Sequence, residues 1–241
     1  MKRVILILLI MLSTLLGCAS RKPAPQGRLV YCSYACAGAA GLGKDYCELI
    51  ADEDSVPRVV VVLGEGNRFE DPVIRGEYPV KPQQVDSLCK QLEAKKVYKL
   101  AGYRLEEPIT GGHSYRIYME YSSGEKVDAR WYGHGVKKEA LSAYRFIERF
   151  FEPWVEQART DAVIARVQEM EQRFNRLSAA VKKGSRYDGM KADYEALDTY
   201  MHSGLWKQDF EADEKGLLPK DLKRGVLSED GLYDLLSHEI K

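Results

Sequence analysis

The clearest alternation of apolar and polar residues lies near the middle of the chain and predicts a β-hairpin. In Ser114–Tyr121 and in Lys126–Tyr132 every second residue is apolar or aromatic, the period of a strand with one buried face. Because a slip of one residue would turn one apolar set to water, the pattern restricts the register. A three-residue loop in which Gly124 supplies the left-handed conformation satisfies both strands. The pairs predicted to lie opposite each other are Met119 with Val127, Ile117 with Ala129 and, on the outer face, Glu120 with Lys126.

The rest of the region before Pro153 mixes strand-like and helical patterns. Runs rich in β-branched and aromatic residues predict strands at Arg28–Tyr34, Tyr46–Ala51, Arg58–Leu63 and Val97–Leu105. Apolar residues at helical spacing predict helices over about Gln83–Lys95 and Lys137–Phe151. Residues 28–152 are therefore expected to form an α+β domain, an antiparallel sheet with two helices.

After Pro153 the pattern is helical. Pro153 itself is expected to end the preceding helix, since proline lacks a backbone donor. Residues 153–241 then carry two apolar stripes separated by Gly184 and Ser185, which predict an antiparallel helical hairpin in an all-α domain. The stripes are Val163, Val167, Met170, Phe174, Leu177 and Val181, followed by Tyr187, Met190, Tyr194, Leu197 and Met201.

Two further predictions concern this helical part. Ser228 is expected to cap a third helix, with Glu229 and Asp230 in its first turn, where the helix dipole favours negative charge. The first stripe leaves homodimerisation open as an alternative, because the apolar residues around Met170 and Phe174 can also pack against a second copy of the chain.

The N-terminus has the layout of an export signal. Lys2 and Arg3 give a positive start, and the apolar run Val4–Leu16 is shorter than the ~20 residues that a membrane-spanning helix needs. The closing residues Leu15-Leu16-Gly17-Cys18 resemble the lipobox of bacterial lipoproteins, in which the cysteine is acylated and becomes the first residue. The resemblance implies a signal peptide at residues 1–17 and a lipid anchor on Cys18. A plain secretory signal with a chance cysteine is the alternative.

The same resemblance implies where the protein is held. Ala19 follows the cysteine in place of the Asp that retains many lipoproteins in the inner membrane, which favours the outer membrane of the cell envelope. Residues 18–27 contain two prolines and no apolar pattern, and are expected to form a short tether.

Charge adds little to this picture. The chain has 36 Lys and Arg against 36 Asp and Glu, and removal of residues 1–17, with two basic residues and no acid, leaves 34 against 36. A near-neutral balance gives no support for a nucleic-acid partner, which needs a concentrated basic face.

Four cysteines remain after Cys18, and an exported compartment permits disulfides. Cys89 falls on the apolar stripe of a predicted helix, where a thiol acts as a small hydrophobic side chain. One bridge is therefore expected among Cys32, Cys36 and Cys47, with its pairing left open.

An unusual set of residues runs from Ala165 to Glu239. It consists of Tyr200, Ser203, Trp206, Asp209, Phe210, Asp213, Gly216 and the stretch LPKDLKRGVLSED at Leu218–Asp230. On these residues the C-terminal third of the chain resembles a small bacterial helical domain family that has no assigned function. The resemblance implies a helical fold, and it carries over no substrate, cofactor or catalytic residue.

Two stretches have the spacing of known sites without their chemistry. Gly38–Asp45 has the GxxxxGK spacing of a phosphate-binding loop, but Asp45 replaces the Ser or Thr that holds magnesium, so no nucleotide is expected. The acidic residues Asp209, Glu211, Asp213 and Glu214 lack the Gly and the bidentate Glu of a calcium loop, and are expected to form a solvated acidic turn.

Two histidines are the weak candidates for metal ligands. His113 and His134 lie at the same end of the predicted hairpin, where both could bind one metal ion. The alternation of the strands places their side chains on opposite faces, unless the neighbouring glycines bend the strands. Tyr118 and Tyr132 lie on the outer face and suggest a recognition surface, the alternative being ordinary amphipathic strand residues.

These patterns lead to one functional expectation and one alternative. We expect a lipid-anchored envelope protein that binds a protein partner without catalysis and without a cofactor, since no convergent catalytic set emerges. The alternative is a metal-dependent envelope hydrolase in which His113 and His134 hold the metal.

Overall fold

The chain divides between Glu152 and Pro153 into two compact units, which we call the sheet unit and the helical unit. The computed structural model describes residues 22–38, 44–52, 54–65, 73–106, 112–133 and 135–237. The predicted signal peptide, Cys18 and His134 lie outside these residues. An α+β unit followed by a helical part confirms the predicted fold class. Among the described helices, none is both long enough and apolar enough to cross a bilayer.

The sheet unit is built on one sheet. Its strands are β1 (Leu29–Ala37), β2 (Lys44–Ile50), β3 (Arg58–Glu65), β4 (Ile74–Pro79), β5 (Arg104–Glu106), β6 (Ser114–Tyr121) and β7 (Lys126–Tyr132). They lie in the order β4-β3-β2-β1-β6-β7-β5. Neighbouring strands are antiparallel except for β5 and β7, which are parallel.

One predicted strand is wrong. Val97–Leu100 forms a 3-10 helix, and only the last two residues of the predicted Val97–Leu105 strand belong to a strand, Arg104–Glu106. Val97 and Leu100 are both buried, and their spacing of three residues matches one turn of a 3-10 helix.

The predicted hairpin is confirmed together with its register. Met119 lies opposite Val127, Ile117 opposite Ala129, and Glu120 opposite Lys126. Gly124 adopts a φ of 91°, which is the left-handed conformation that the three-residue loop requires.

The core of the sheet unit lies on one face of the sheet. Helix α1 (Pro82–Ala94) and the first part of helix α2 (Lys138–Lys183) pack against this face. Tyr144 of α2 is the centre of an aromatic cluster, with its ring 5.5 Å from Tyr34, 5.1 Å from Tyr115 and 5.7 Å from Trp131. Such edge-on ring contacts add to the burial that holds helix and sheet together.

The expected helix end at Pro153 is wrong, because α2 continues through it to Lys183. Proline keeps a helical φ and removes one backbone hydrogen bond, at a cost of ~3 kcal/mol in a helix interior. Phe151 before it and Val155 and Ala158 after it are buried, so packing on both sides offsets that loss.

The helical unit contains the rest of α2 together with α3 (Met190–His202), α4 (Gly204–Glu214) and α5 (Glu229–Leu236). Both apolar stripes contribute to one core, in which Val167, Leu177 and Leu197 are fully buried. Met170 and Phe174 pack against the same core, so this part of the first apolar stripe is covered within one copy of the chain. The cap at Ser228 is confirmed, since its hydroxyl accepts a hydrogen bond from the Gly231 amide. Helix α4 is not among the sequence predictions.

Candidate functional site

Within the described part of the sheet unit, α1 and the first part of α2 pack on one face of the sheet, and the opposite face, which we call the open sheet face, is the candidate binding surface. The strand registers place Tyr118 of β6 between Ser33 of β1 and Asp128 of β7, and Arg116 between Ala35 and Arg130. All of these side chains are half-buried or exposed. We define the open sheet face by Tyr31, Ser33, Ala35, Arg104, Arg116, Tyr118, Glu120, Lys126, Asp128 and Arg130.

The centre of the open sheet face is a cluster of three arginines around one carboxylate. Arg116 donates from Nε to Oδ1 of Asp128 at 3.0 Å, and Arg130 donates from Nη2 to Oδ2 at 3.1 Å. Arg104 donates to Oδ2 at 2.8 Å and also reaches the backbone carbonyl of Asp128 at 2.6 Å. The parallel strand β5 therefore adds a third cation to the two that the hairpin supplies. We call these four residues the arginine cluster.

The arginine cluster carries a net positive charge at neutral pH. Partial burial alone would raise the pKa of Asp128, but the hydrogen bonds from Arg130 and Arg116 outweigh it and lower the pKa to about 2. One negative charge thus lies among three positive ones. The side chains of Arg104, Arg116 and Arg130 are 42%, 41% and 52% exposed, so each guanidinium is accessible to an incoming anion.

Aromatic rings border the arginine cluster on the side of β1. The guanidinium of Arg116 lies 4.7 Å from the centre of the Tyr118 ring, a cation–π contact. The ring of Tyr31 meets the Tyr118 ring edge-on at 5.8 Å. Tyrosine and arginine are enriched at the energetic centres of protein interfaces, since both combine a flat apolar body with hydrogen-bond donors.

Part of the arginine cluster could have been read from the sequence. In the predicted register Arg116 lies opposite Arg130, and two like charges in that position are destabilising unless an anion stands between them. Asp128, two residues before Arg130 on the same face, is that anion. Arg104 gave no such signal, because its pairing with Arg130 depends on a parallel strand that local patterns do not reveal.

Of the two candidate metal ligands, the structure describes His113. His113 is exposed just before β6, and its ring centre lies 6.3 Å from that of Tyr115. In the described part of the chain, no group of three or more His, Cys, Asp or Glu residues is arranged to hold a metal ion. Because His134 lies outside that part, the pairing of the two histidines stays a prediction.

The three cysteines among which a bridge is expected lie on β1 and β2, and the bridge itself stays a prediction. Among the described residues Cys32, Cys36, Cys47 and Cys89 are thiols. Cys32 faces Leu49 across the sheet while Cys47 faces Tyr34, so Cys32 and Cys47 are diagonal neighbours on β1 and β2. Burial raises the pKa of Cys32 to about 12, which suppresses the reactive thiolate.

The segment with the spacing of a phosphate-binding loop ends in a strand, not in a helix. Lys44 and Asp45 begin β2, and the carboxylate of Asp45 accepts a hydrogen bond from the Gly64 amide at 2.7 Å. A phosphate-binding loop needs a helix N-terminus at this point, where amide groups point at the phosphates.

The solvated acidic turn expected at Asp209–Glu214 is wrong. These residues lie in α4, and Asp209 is fully buried. Its Oδ2 accepts hydrogen bonds from Arg166 Nε at 2.8 Å and from the Tyr200 hydroxyl at 2.8 Å. Asp213, also in α4, pairs with Arg224. The acids of this helix therefore join α4 to α2, α3 and the C-terminal segment, and spacing alone could not reveal their distant arginines.

A second carboxylate joins α2 to α3. Asp193 accepts hydrogen bonds from Arg173 and Arg176 at 2.9 and 2.8 Å, and from the Tyr187 hydroxyl at 2.8 Å. The hydrogen bonds from Arg176 lower the pKa of Asp193, although its burial acts in the opposite direction. Arg173 binds Asp193 near the start of α3, whereas the earlier Arg166 binds Asp209, which also accepts from Tyr200 near the end of α3. The helices α2 and α3 therefore run antiparallel, as predicted.

The residues that carry the family resemblance act as a scaffold. Ser203 caps α4, and the Trp206 indole donates to the Val226 carbonyl at 3.1 Å. The Val226 amide in turn donates to Oε2 of the buried Glu171 at 2.7 Å. Gly216 takes the left-handed conformation, with a φ of 68°, just after α4. These contacts hold the C-terminal segment on the helices.

A protein-family model matches the C-terminal part of the chain. Residues 165–241 match a protein-family model described as a domain of unknown function, DUF4298. The match covers the C-terminal third of the chain and so includes most of the helical unit. No curated protein matches the chain.

Proposed function

We propose that this chain is a lipid-anchored lipoprotein of the bacterial envelope, with the outer membrane favoured. In this proposal it binds an envelope protein, without catalysis, through the open sheet face. The arginine cluster is the observation that carries the binding role, because three accessible guanidinium groups share one carboxylate. An acidic segment of a partner supplies the missing negative charge, and Tyr118 and Tyr31 supply contact area.

Site-specific photo-crosslinking in cells tests the binding surface. A photo-reactive residue at position 35, in the middle of the open sheet face, is expected to give one discrete cross-linked product with an envelope protein. Arg116→Ala should reduce its yield by about tenfold, since a central arginine is worth more than ~1 kcal/mol in such interfaces. Arg149→Ala, an exposed arginine on α2, is the matched control and should leave the yield unchanged. A product that survives Arg116→Ala would contradict the proposed surface.

The anchor is tested separately by mass spectrometry of the native protein. The N-terminal peptide is expected to begin at Cys18 and to carry acyl chains. An unmodified N-terminal peptide that still contains Met1 would contradict the lipoprotein assignment and leave the binding test intact.

A further inference from the structure

We infer that the sheet unit holds a second binding surface, a lysine-lined groove that binds the phosphate headgroups of anionic lipids in the membrane that anchors the chain. This inference rests on the proposed lipid anchor at Cys18. The groove is distinct from the arginine cluster in both its residues and its chemistry.

The groove has a volume of about 720 Å³ and lies between the end of α1, the 3-10 helix Val97–Leu100 and the start of α2. Val97, Leu100 and Ala143 form its buried apolar floor. Exposed lysines form its rim, and Glu139 is the one acid among the described residues that line it. We call it the basic groove and define it by Lys95, Lys96, Lys99, Lys137 and Lys138.

Local structure holds these lysines together. Lys95 lies over the Phe146 ring at 4.9 Å, and Lys137 lies over the Tyr103 ring at 5.2 Å. Lys96 adopts a left-handed φ of 56°, a conformation that is costly for a residue with a side chain, and it lets the chain turn sharply from α1 into the 3-10 helix. Five positive charges are thus concentrated on one short part of the surface.

The chemistry of the basic groove fits a phosphate headgroup at a membrane surface. Lysine presents a compact ammonium charge on a flexible stem, and clusters of lysines beside a membrane bind anionic headgroups. The arginine cluster differs in offering planar guanidinium groups, which bind the oxygens of an anion in pairs.

The path of the chain places the basic groove near the anchor. Lys22 donates a hydrogen bond from Nζ to the carbonyl of Ala101, which directly follows the 3-10 helix of the groove. Cys18 lies four positions before Lys22, and four Cα–Cα steps span at most about 14 Å. A bilayer that holds acyl chains on Cys18 therefore lies within reach of the groove, and this argues for a lipid headgroup as the occupant.

Lysine acetylation of the full mature protein in nanodiscs tests the inference. In discs of equal parts phosphatidylglycerol and phosphatidylcholine, the acetylation rates of the groove lysines are expected to fall about fivefold relative to pure phosphatidylcholine discs. Lys191 of α3, with a side chain 87% exposed, reports the unprotected rate. Equal rates in the two kinds of disc would overturn the inference. Protection by inorganic phosphate alone in phosphatidylcholine discs would overturn the lipid source and assign the groove to a soluble phosphate compound.

A charge-removing variant separates this inference from the anchor itself. Lys96→Gln with Lys99→Gln should abolish the lipid-dependent protection of Lys137 and Lys138, whereas Lys182→Gln with Lys183→Gln should not. If mass spectrometry finds no acyl chain on Cys18, the proposed anchor fails, and flotation with phosphatidylglycerol vesicles then tests the groove alone. Flotation that the Lys96 and Lys99 substitutions reduce would support the groove, and flotation that they leave unchanged would overturn it.

Discussion

Asp209 of the helical unit and Asp128 of the sheet unit bind arginine in similar ways, but they differ in their access to solvent. The Asp209 side chain is 0% exposed and that of Arg166 is 15% exposed. Around Asp128, which is 23% exposed, the three arginines are 41–52% exposed. Burial makes the loss of one partner costly, because the other charge is left in a medium that solvates it poorly. Exposed pairs are screened by water and contribute little.

This difference assigns different roles to the two groups. The Asp209 pair, with the Tyr200 hydroxyl as its third member, fixes where α2, α3 and α4 meet. The arginine cluster fixes little of the fold beyond the pairing of β5, β6 and β7, and its donors remain accessible to a partner. The same residue types therefore serve stability in one unit and, in our proposal, recognition in the other.

The largest effect is expected from Asp209→Asn. The neutral amide leaves the positive charge of Arg166 without its counter-charge, and the free energy of unfolding of the helical unit should fall by about 3–5 kcal/mol. Urea unfolding followed by hydrogen exchange in peptides from each unit would show which unit loses stability. Asp198→Asn, in α3 with a side chain 49% exposed, is the matched control and should change stability by less than about 0.5 kcal/mol. Equal effects of the two substitutions would refute a structural role for the buried pair.

A smaller effect is expected from Glu171→Gln. The carboxylate of Glu171 accepts from the Val226 amide and, at 3.0 Å, from Asn175 Nδ2. Glutamine offers one neutral acceptor oxygen in place of two charged ones, so the bond to the buried Val226 amide is weakened, at a cost of about 1–2 kcal/mol. Hydrogen exchange of the Val226 amide measures this directly and should become faster. Glu169→Gln, whose side chain is 58% exposed on the same helix, should leave that amide protected as before.

The sequence predicted most of the sheet unit because its signals are local. The hairpin register follows from alternation over neighbouring residues, and Gly124 specifies the loop. The strand predicted at Val97–Leu105 failed because β-branched and aromatic residues in a short run do not distinguish a strand from a buried turn. Strand β4, with Gly76 and Pro79 in its six residues, carries too weak a pattern to be recognised.

In the helical unit, periodicity predicted which residues are buried but not which charges pair. Asp209 looks like any acid on a polar surface, and its partner Arg166 lies 43 residues earlier. The error at Pro153 is the opposite one. The proline is a strong local signal for a helix end, but the burial of residues on both sides of it overrides that signal. Charge pairing and helix continuity depend on tertiary contacts, and these leave no short-range pattern in the sequence.

The smallest effect on stability is expected from Asp128→Asn, and its pH dependence sharpens the comparison. The folded pKa of Asp128, about 2, lies below the ~3.9 of an unfolded aspartate. The ionised carboxylate therefore contributes its full stabilisation at pH values above ~3.9. The wild type should exceed the variant by about 1 kcal/mol at neutral pH, after allowance for solvent screening. This difference should disappear as the pH falls from about 4 to 2, because Asp128 then becomes neutral as well. Asp86→Asn, at an exposed position of α1, controls for loss of a surface charge. A difference that persists unchanged at pH 2 would show that the arginines do not act on the ionised carboxylate, and would remove the electrostatic basis of the arginine cluster.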